Sequence, residues 1–417
     1  MQKILIYTEK ITPRIQYVFD FVLREFSGLD FELTTNVQFF EASEIPKVNY
    51  SQQKIADEIY LKSDEFMFED IISDKIKFEE LDSIGKLFFA LSRYEEYLPQ
   101  PKDYHGRISG KGKVYKTPFV DEWILEFHKE LKLKYPELEF KKRKFELVLT
   151  CDVDQAWKYR NKGFKRIYGA YLKDLVKLDF KEFAKRKRVI SGKEEDPFDT
   201  FDYFKSFLDH PLRLRSVSGQ NDNNLRMIFF WLMADYGQFD KNNPVENRAF
   251  QEKIKETSKW AEFGVHPSYV SNSSKEKLKT EIKRLAKTLG KPIQKSRQHY
   301  IKIVFPHTYR NLIEAGIKED YTMGYPDETG FRAGTCTPFF WYDLKDEIST
   351  DLKVYSFCAM DATLQSYLKF TPEEAKNELR RLKYEIQKVD GQMIVLFHNS
   401  NLNEQWVGWD EVLESLF

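Results

Sequence analysis

The stretch that decides the fold is Phe145-Glu146-Leu147-Val148-Leu149-Thr150-Cys151-Asp152-Val153-Asp154. A short run of β-forming apolar residues ends in two carboxylates one residue apart, which is typical of a buried parallel strand. In α/β folds the carboxyl ends of such strands carry the chemistry. Two acids at one strand end repel each other, and a cation beside them would remove that cost. This stretch alone leaves open a solvated loop with two acidic residues.

The composition is that of an ordinary globular protein. The chain has 417 residues, of which 66 are basic, 66 are acidic and 41% are hydrophobic. Balanced charge gives no overall field that would direct the chain to nucleic acid, so no nucleic-acid partner is expected. The sequence identifies no protein partner.

The cysteines and the apolar runs indicate the compartment. Cys151, Cys336 and Cys358 form no CxxC pair, which excludes a zinc knuckle or a thioredoxin motif, and a sparse odd number suits a reducing compartment. No stretch reaches about 18 apolar residues, so no transmembrane segment is expected. The first residues lack the long apolar region of a signal peptide. We therefore expect a cytoplasmic location.

Residues 1–140 are predicted to form a small α/β domain of unknown role. A strand is expected at 3–7, and helical spacing of apolar residues predicts helices at 15–26, 84–97 and 120–133. This region shows no obvious catalytic cluster, and His105 and His128 are interpreted as surface or packing residues.

Strands and helices alternate through residues 141–417, which predicts a parallel sheet or barrel. After the opening stretch, strands are expected at 227–232, 261–266, 296–303, 353–357 and 393–398. Helices are expected at 171–183, 245–260, 274–289, 309–315 and 372–389. The last of these has Thr371 as its N-cap, with Glu374 closing a capping box.

Side chains able to bind a metal or move a proton lie at four predicted strand ends. They are Asp152 with Asp154, His266, Arg297 with His299, and His398. Because the carboxyl ends of parallel strands lie on one face, we expect these side chains to converge. A carboxylate with imidazoles is the ligand set of a borderline divalent ion, zinc above all. Such an ion lowers the pKa of water to about 7, while another carboxylate and histidine serve as general base and acid.

The order of these motifs resembles that of the polysaccharide deacetylase family, the NodB-homology carbohydrate esterases. The counterparts here are Thr150-Cys151-Asp152-Val153-Asp154, Glu262-Phe263-Gly264-Val265-His266-Pro267-Ser268-Tyr269, Arg297-Gln298-His299-Tyr300 and Leu396-Phe397-His398-Asn399. The resemblance covers roughly residues 145–400. It is closer to a divergent bacterial subgroup that also carries the segments 330–335 and 360–364. In that subgroup an uncharacterised α/β domain comes first, and residues 88–98 with His105-Gly106-Arg107 look like its signature.

The resemblance implies a distorted (β/α) barrel of the NodB-homology type, preceded by the small α/β domain. It implies a hydrolase that uses metal-activated water to remove an acetyl group from an amino sugar of a surface polysaccharide or its precursor. The implied cofactor is a divalent metal ion, with Zn²⁺ foremost, and the implied partner is an acetylated glycan or sugar precursor.

The resemblance also implies a role for each motif residue. Asp152 would be the general base, Asp154 and His266 metal ligands, and His398 the acid that protonates the departing amine. Arg297 would orient the base and stabilise its charge. The roles of Asp152 and Asp154 could also be exchanged.

This sequence departs from the family pattern in two places. The two acids are adjacent in the family, whereas Val153 separates them here, although residues i and i+2 of an extended strand point to the same side. The usual second metal histidine lies four residues after the first, where this chain has Val270. His299 is the candidate replacement ligand.

Three further residues are candidates for substrate binding, namely Tyr300, Arg332 and Asp361. Arg332 lies in a glycine-flanked loop with aromatic residues. It would either bind substrate or brace a buried carboxylate such as Asp361.

Two other functions stay open at this point. A non-catalytic glycan-binding or scaffold protein on a degenerate deacetylase barrel would explain Val270. A metal hydrolase of other bonds, such as phosphoesters, is supported only by the basic run Lys185-Arg186-Lys187-Arg188, and such runs are usually a solvated helix face.

Overall fold

The computed structural model describes residues 2–55, 57–209 and 225–417. Its smaller sheet has four parallel strands in the order β2-β1-β3-β4. These strands are β1 (Lys3–Thr8), β2 (Asp30–Thr34), β3 (Lys47–Ser51) and β4 (Ile59–Lys62).

The larger sheet has nine strands in the order β10-β11-β9-β8-β7-β6-β5-β13-β12. They are β5 (Glu146–Val153), β6 (Leu225–Leu232), β7 (Glu262–His266), β8 (Lys295–Ser296), β9 (Glu319–Asp320), β10 (Phe339–Asp343), β11 (Ile348–Val354), β12 (Ala359–Met360) and β13 (Gln392–His398). All neighbouring strands are parallel except β10 and β11. The fold is therefore mixed α/β with a parallel-rich sheet. Within the described ranges no strand pairing joins the edge strands β10 and β12, so closure of the predicted barrel stays a prediction.

Twelve α-helices accompany the sheets in the part of the chain that the structure describes. They are α1 (Pro13–Phe19), α2 (Val37–Ala42), α3 (Ser83–Leu91), α4 (Phe119–Lys134), α5 (Phe164–Val176), α6 (Phe180–Ile190), α7 (Phe201–Asp209), α8 (Arg248–Thr257), α9 (Lys275–Leu289), α10 (His307–Glu314), α11 (Pro372–Gln387) and α12 (Trp409–Glu414). A π-helical segment, Asp20–Ser27, continues α1. Across the described residues, none of the helices has both the length and the apolarity needed to cross a bilayer.

Strand β5 shows how the sheet positions the two acids. Side chains alternate between the faces of a strand. Leu147 and Leu149 pack in the large hydrophobic core, whereas Val148 packs in a smaller apolar cluster on the other face. Asp152 follows Val148 by four residues, so it lies on the face of the smaller cluster at the carboxyl end of the strand. The predicted strand is confirmed by the structure.

Several predicted elements differ from the structure. The helix expected at 84–97 ends at Leu91, and the strand expected at 353–357 is instead Ile348–Val354. The helix expected at 171–183 is divided between α5 and α6, because Leu178 has a φ of 54° and Asp179 caps α6. The strand expected at 296–303 ends at Ser296, and Tyr300 and Ile301 have φ values of 61° and 56°. Left-handed backbone cannot continue a β-ladder, so Arg297 and His299 lie in a loop after a two-residue strand.

The two sheets share one hydrophobic core. A contiguous cluster of buried apolar residues includes side chains of both sheets. Arg14 Nη2 and Nε bind the carboxylate of Glu347 at 2.7 and 3.0 Å, and the Tyr17 hydroxyl donates to the Phe340 carbonyl at 2.7 Å. No break in the core marks residue 140 in the described structure, and the predicted division into domains 1–140 and 141–417 stays a prediction.

Candidate active site

Asp152 is fixed by a buried arginine. Arg297 Nη1 donates to Asp152 Oδ1 at 3.1 Å and to Thr150 Oγ1 at 2.6 Å. Arg297 Nε donates to the Tyr321 carbonyl at 2.9 Å, so the guanidinium is held from a second side. Both Arg297 and Asp152 are buried. The strand register places His398 of β13 directly beside Asp152.

Asp154, His266 and His299 bring three possible ligand atoms together. Asp154 Oδ1 lies 3.4 Å from His266 Nε2 and 3.4 Å from His299 Nε2. One ligand atom from each residue lies within 4.8 Å of the others. Asp154 Oδ1 and His266 Nε2 are buried and have no hydrogen-bond partner among the described residues.

The remaining ring nitrogens of both histidines are held by oxygen atoms. His266 Nδ1 lies 2.6 Å from the carbonyl oxygen of Arg297, and His299 Nδ1 lies 2.8 Å from Asp240 Oδ1. A carbonyl or carboxylate oxygen accepts a hydrogen bond, so Nδ1 carries the proton in each ring. The lone pair of His266 Nε2 then points towards Asp154. An oxygen partner on the far ring nitrogen is typical of histidines that bind metals.

The electrostatics of the three residues favour a cation between them. Burial would raise the pKa of Asp154, but the neighbouring His299 and His266 hold it well below its ordinary value. Burial would lower the pKa of His299, but the carboxylates of Asp154 and Asp240 raise it to about 10. The Asp154 carboxylate thus draws positive charge to the site, here as the proton on His299, and a divalent ion bound there would replace that proton. The donor set and the two unpaired buried atoms therefore fit a divalent ion.

His398 is oriented by Asp361. His398 Nδ1 lies 2.8 Å from Asp361 Oδ1, and the His398 amide donates to Asp361 Oδ2 at 2.7 Å. Burial would lower the pKa of His398, but the Asp361 charge and hydrogen bond raise it to about 9. The imidazole thus carries a proton at neutral pH. Asp361 is fully buried beneath it, and its predicted role in substrate binding stays a prediction.

Tyr300 lies beside the three candidate ligands. Its ring centroid is 4.6 Å from that of His299 and 4.6 Å from that of His105. The Tyr300 carbonyl accepts a hydrogen bond from Arg107 Nη1 at 3.1 Å. The turn that carries His105 and Arg107 therefore reaches the site from the N-terminal part of the chain. The role of Tyr300 in substrate binding stays a prediction.

Arg332 does not join the cluster of Asp152, Asp154 and the three histidines. Its Nε and Nη2 bind the two carboxylate oxygens of Glu96 at 2.9 and 2.6 Å, and the side chain is buried. The carboxylate that Arg332 braces is thus Glu96 and not Asp361. Its assignment to substrate binding stays a prediction.

Val270 occupies the position of the usual second metal histidine, and Asp240 is a site residue that the sequence motifs do not include. Val270 is exposed, and His299 lies where a third ligand is needed. Asp240, which holds His299, does not stand out in the sequence. It lies in the loop after β6, the strand next to β5. An acidic residue after a predicted strand is the sequence feature that could have identified it.

Comparison with known proteins gives distant likeness only. A family model described as a family of unknown function (DUF7033) matches residues 4–136. No curated protein matches the sequence.

Several solved structures have limited similarity to this chain. Agd3, a carbohydrate deacetylase, is 8% identical with a TM-score of 0.42, covering 100% of this chain and 83% of its own. PuuE allantoinase is 12% identical with a TM-score of 0.37, covering 76% and 91%. A polysaccharide deacetylase from Bacillus cereus is 10% identical with a TM-score of 0.31, covering 66% and 85%. Similarity at this level does not show which reaction the chain catalyses. The reaction has to be argued from the residues of the site.

Proposed function

We propose that the chain is a metal-dependent hydrolase that removes an acetyl group from an amino sugar of a surface polysaccharide or its precursor. The observation that carries the proposal is the convergence of Asp154, His266 and His299, in which Asp154 Oδ1 and His266 Nε2 have no hydrogen-bond partner among the described residues. Three protein ligands and an open position are the pattern of a catalytic rather than a structural zinc site. The order of the surrounding motifs supports acetyl chemistry, and a cytoplasmic location remains part of the proposal.

Asp154, His266 and His299 would hold the ion. When bound there, Zn²⁺ or a similar ion supplies Lewis acidity, which makes water a nucleophile at neutral pH and polarises a carbonyl. Asp240 and the Arg297 carbonyl keep the two imidazoles in the tautomer that binds a metal.

The remaining site residues would move the protons. Asp152, whose Oδ2 lies 3.7 Å from His266 Nε2, would accept a proton from the attacking water, and Arg297 holds its carboxylate in place at 3.1 Å. His398 donates a proton to the departing amine, and Asp361 orients its ring for that transfer. Acetate and a free amine are the products.

The alternative of a non-catalytic glycan-binding protein depends on Val270 in place of a metal histidine. His299 supplies a third candidate ligand from a different loop, so the substitution at Val270 does not by itself remove the site. A phosphoesterase depends on the run Lys185–Arg188. Arg186 binds Asp174 at 2.7 Å and Arg188 binds Glu194 at 2.7 Å, which is consistent with a helix surface rather than an anion site.

The test is acetate release from N-acetylated chito-oligosaccharides by zinc-loaded protein. We expect activity in the wild type, and a loss of at least about a hundredfold in Asp152→Asn and in His398→Gln, since each removes a proton-transfer group. Asp235→Asn is the matched control, because Asp235 pairs with Lys277 and Arg284 on the surface. No acetate from the wild type, or equal rates in Asp152→Asn, would contradict the proposal.

A further inference from the structure

Helix α5 turns an apolar face to solvent. Phe164, Tyr168, Leu172, Leu175 and Val176 lie within about a third of the helix circumference, and they are between 44% and 75% exposed. In a surface helix of a globular protein the apolar face normally packs on the core. Five large apolar side chains on the solvent side are therefore an unpartnered surface.

Contacts at the edge of the apolar face and on the far side of α5 already hold the helix in place. The Tyr171 ring packs edge-on against Phe183 of α6 at 5.0 Å, and Arg186 Nε binds Asp174 at 2.7 Å. Arg166 Nη1 donates to the Asn242 carbonyl at 2.9 Å. These contacts hold α5 against the rest of the molecule without using the exposed apolar side chains.

The apolar surface continues through the turn, and exposed basic side chains lie in the same segment. Leu178 and Phe180 between the two helices are 72% and 64% exposed. Residues 162–190 contain ten basic and three acidic side chains, in a chain whose total charge is zero. The exposed basic side chains of this segment are Lys165, Lys173, Lys177, Lys181, Lys187 and Arg188.

We propose that the α5–α6 hairpin binds a bilayer surface that carries anionic lipids, with Phe164, Tyr168, Leu172, Leu175 and Val176 inserted between the headgroups. Apolar side chains beside lysines are the pattern of a helix that lies in the plane of the interface. The surrounding positive charge complements anionic lipid. A second copy of the chain is disfavoured, because the same basic rim would face itself.

The hairpin is connected to the candidate active site by a short segment of chain and by one hydrogen bond. The hairpin begins ten residues after Asp154, and Arg166 binds the carbonyl of Asn242, two residues after Asp240. If the chain has the proposed function, a glycan attached to a lipid would be within reach of the site.

The test is co-sedimentation of the full chain with vesicles of phosphatidylcholine alone or mixed with phosphatidylglycerol. We expect binding to the mixed vesicles only. Lys165→Gln, Lys173→Gln and Lys177→Gln together should weaken it about a hundredfold, and Leu172→Ser with Val176→Ser at least about tenfold. Two matched controls should bind as the wild type does. One combines Lys283→Gln, Lys287→Gln and Lys291→Gln, and the other combines Leu133→Ser and Val407→Ser.

A labelled residue reports insertion directly. The native cysteines Cys151, Cys336 and Cys358 are buried, so an environment-sensitive dye reacts selectively with Val176→Cys or, as a control, with Val407→Cys. We expect a blue shift with mixed vesicles at 176 and none at 407.

The proposal is overturned if the wild type does not bind mixed vesicles, or if the serine and glutamine variants bind equally well. It is also overturned if the wild type is a dimer that the serine variants dissociate, since a second copy would then cover this surface. None of these outcomes depends on acetate release.

Discussion

At the scale of single residues, Asp240 sets how well His299 can bind an ion. Its carboxylate holds His299 Nδ1 at 2.8 Å and also accepts the Tyr269 amide at 2.8 Å. We expect Asp240→Asn to lower zinc affinity by about tenfold to a hundredfold, because a neutral amide makes the imidazole a weaker ligand.

Zinc affinity of this variant is measured by competition with a chromophoric chelator. Asp235→Asn serves as the control, because Asp235 is a surface acid on the same loop and does not contact His299. Unchanged affinity in Asp240→Asn would show that His299 does not bind the ion through Nε2.

Glu96 is the second residue whose charge can be tested. Burial would raise the pKa of Glu96, but the charges of Arg332 and Arg93 lower it to about 2. A folded pKa below the unfolded value gives stability that is present above about pH 4.5 and is lost as the pH falls towards 2. The shift corresponds to roughly 3 kcal/mol.

Replacing Glu96 should therefore be costly at neutral pH. Glu96→Gln leaves two buried guanidinium groups without their shared carboxylate, and we expect the free energy of unfolding to fall by about 3–5 kcal/mol. The loss should shrink as the pH is lowered from 4.5 to 2, where the wild type also becomes neutral. Urea unfolding at several pH values measures this, with the more exposed Glu95→Gln as control. A small, pH-independent loss would contradict the assignment.

At the scale of elements, the start of α11 is the best-defined feature. The predicted capping box is confirmed, with Thr371 Oγ1 accepting from the Glu374 amide and the Glu374 carboxylate accepting from the Thr371 amide. We expect Thr371→Ala to lower the free energy of unfolding by about 1 kcal/mol. Thr280→Ala, within α9, should have little effect, and equal effects of the two would contradict the cap's contribution.

Regular elements could be predicted from the sequence, and so could the residues at their ends. Asp152, Asp154, His266 and His398 follow strands with clear apolar patterns, and the structure brings them together, although their roles remain predictions. Asp240 could not be chosen in the same way, because the loop after β6 has no periodicity. Arg332 and Glu96 lie 236 residues apart, and only the packed chain pairs them.

At the scale of the whole molecule, the first 140 residues and the rest share one core. The ring of Tyr17 lies 4.9 Å from Tyr342, and that of Phe88 lies 5.1 Å from Tyr342. Such apolar contact would leave a large exposed patch if either part were removed. The alternation of strands and helices predicted the larger sheet, but a core shared between distant parts of the chain produces no local sequence pattern.

Separating the two parts should therefore destabilise both. We expect the full chain to unfold in a single calorimetric transition, and the fragment 141–417 to show no cooperative transition. Zinc-loaded full chain treated in parallel serves as the reference. A fragment that unfolds cooperatively near the temperature of the full chain would instead support an independent domain.

The central claim is that Asp154, His266 and His299 together hold a divalent ion. The measurement that tests it most directly is the metal content of purified, untagged protein by elemental mass spectrometry after dialysis against zinc. The account predicts about one ion per chain in the wild type and in Asp235→Asn, and its loss in His266→Ala and His299→Ala. No ion in the wild type, or a full complement in His299→Ala, would contradict it.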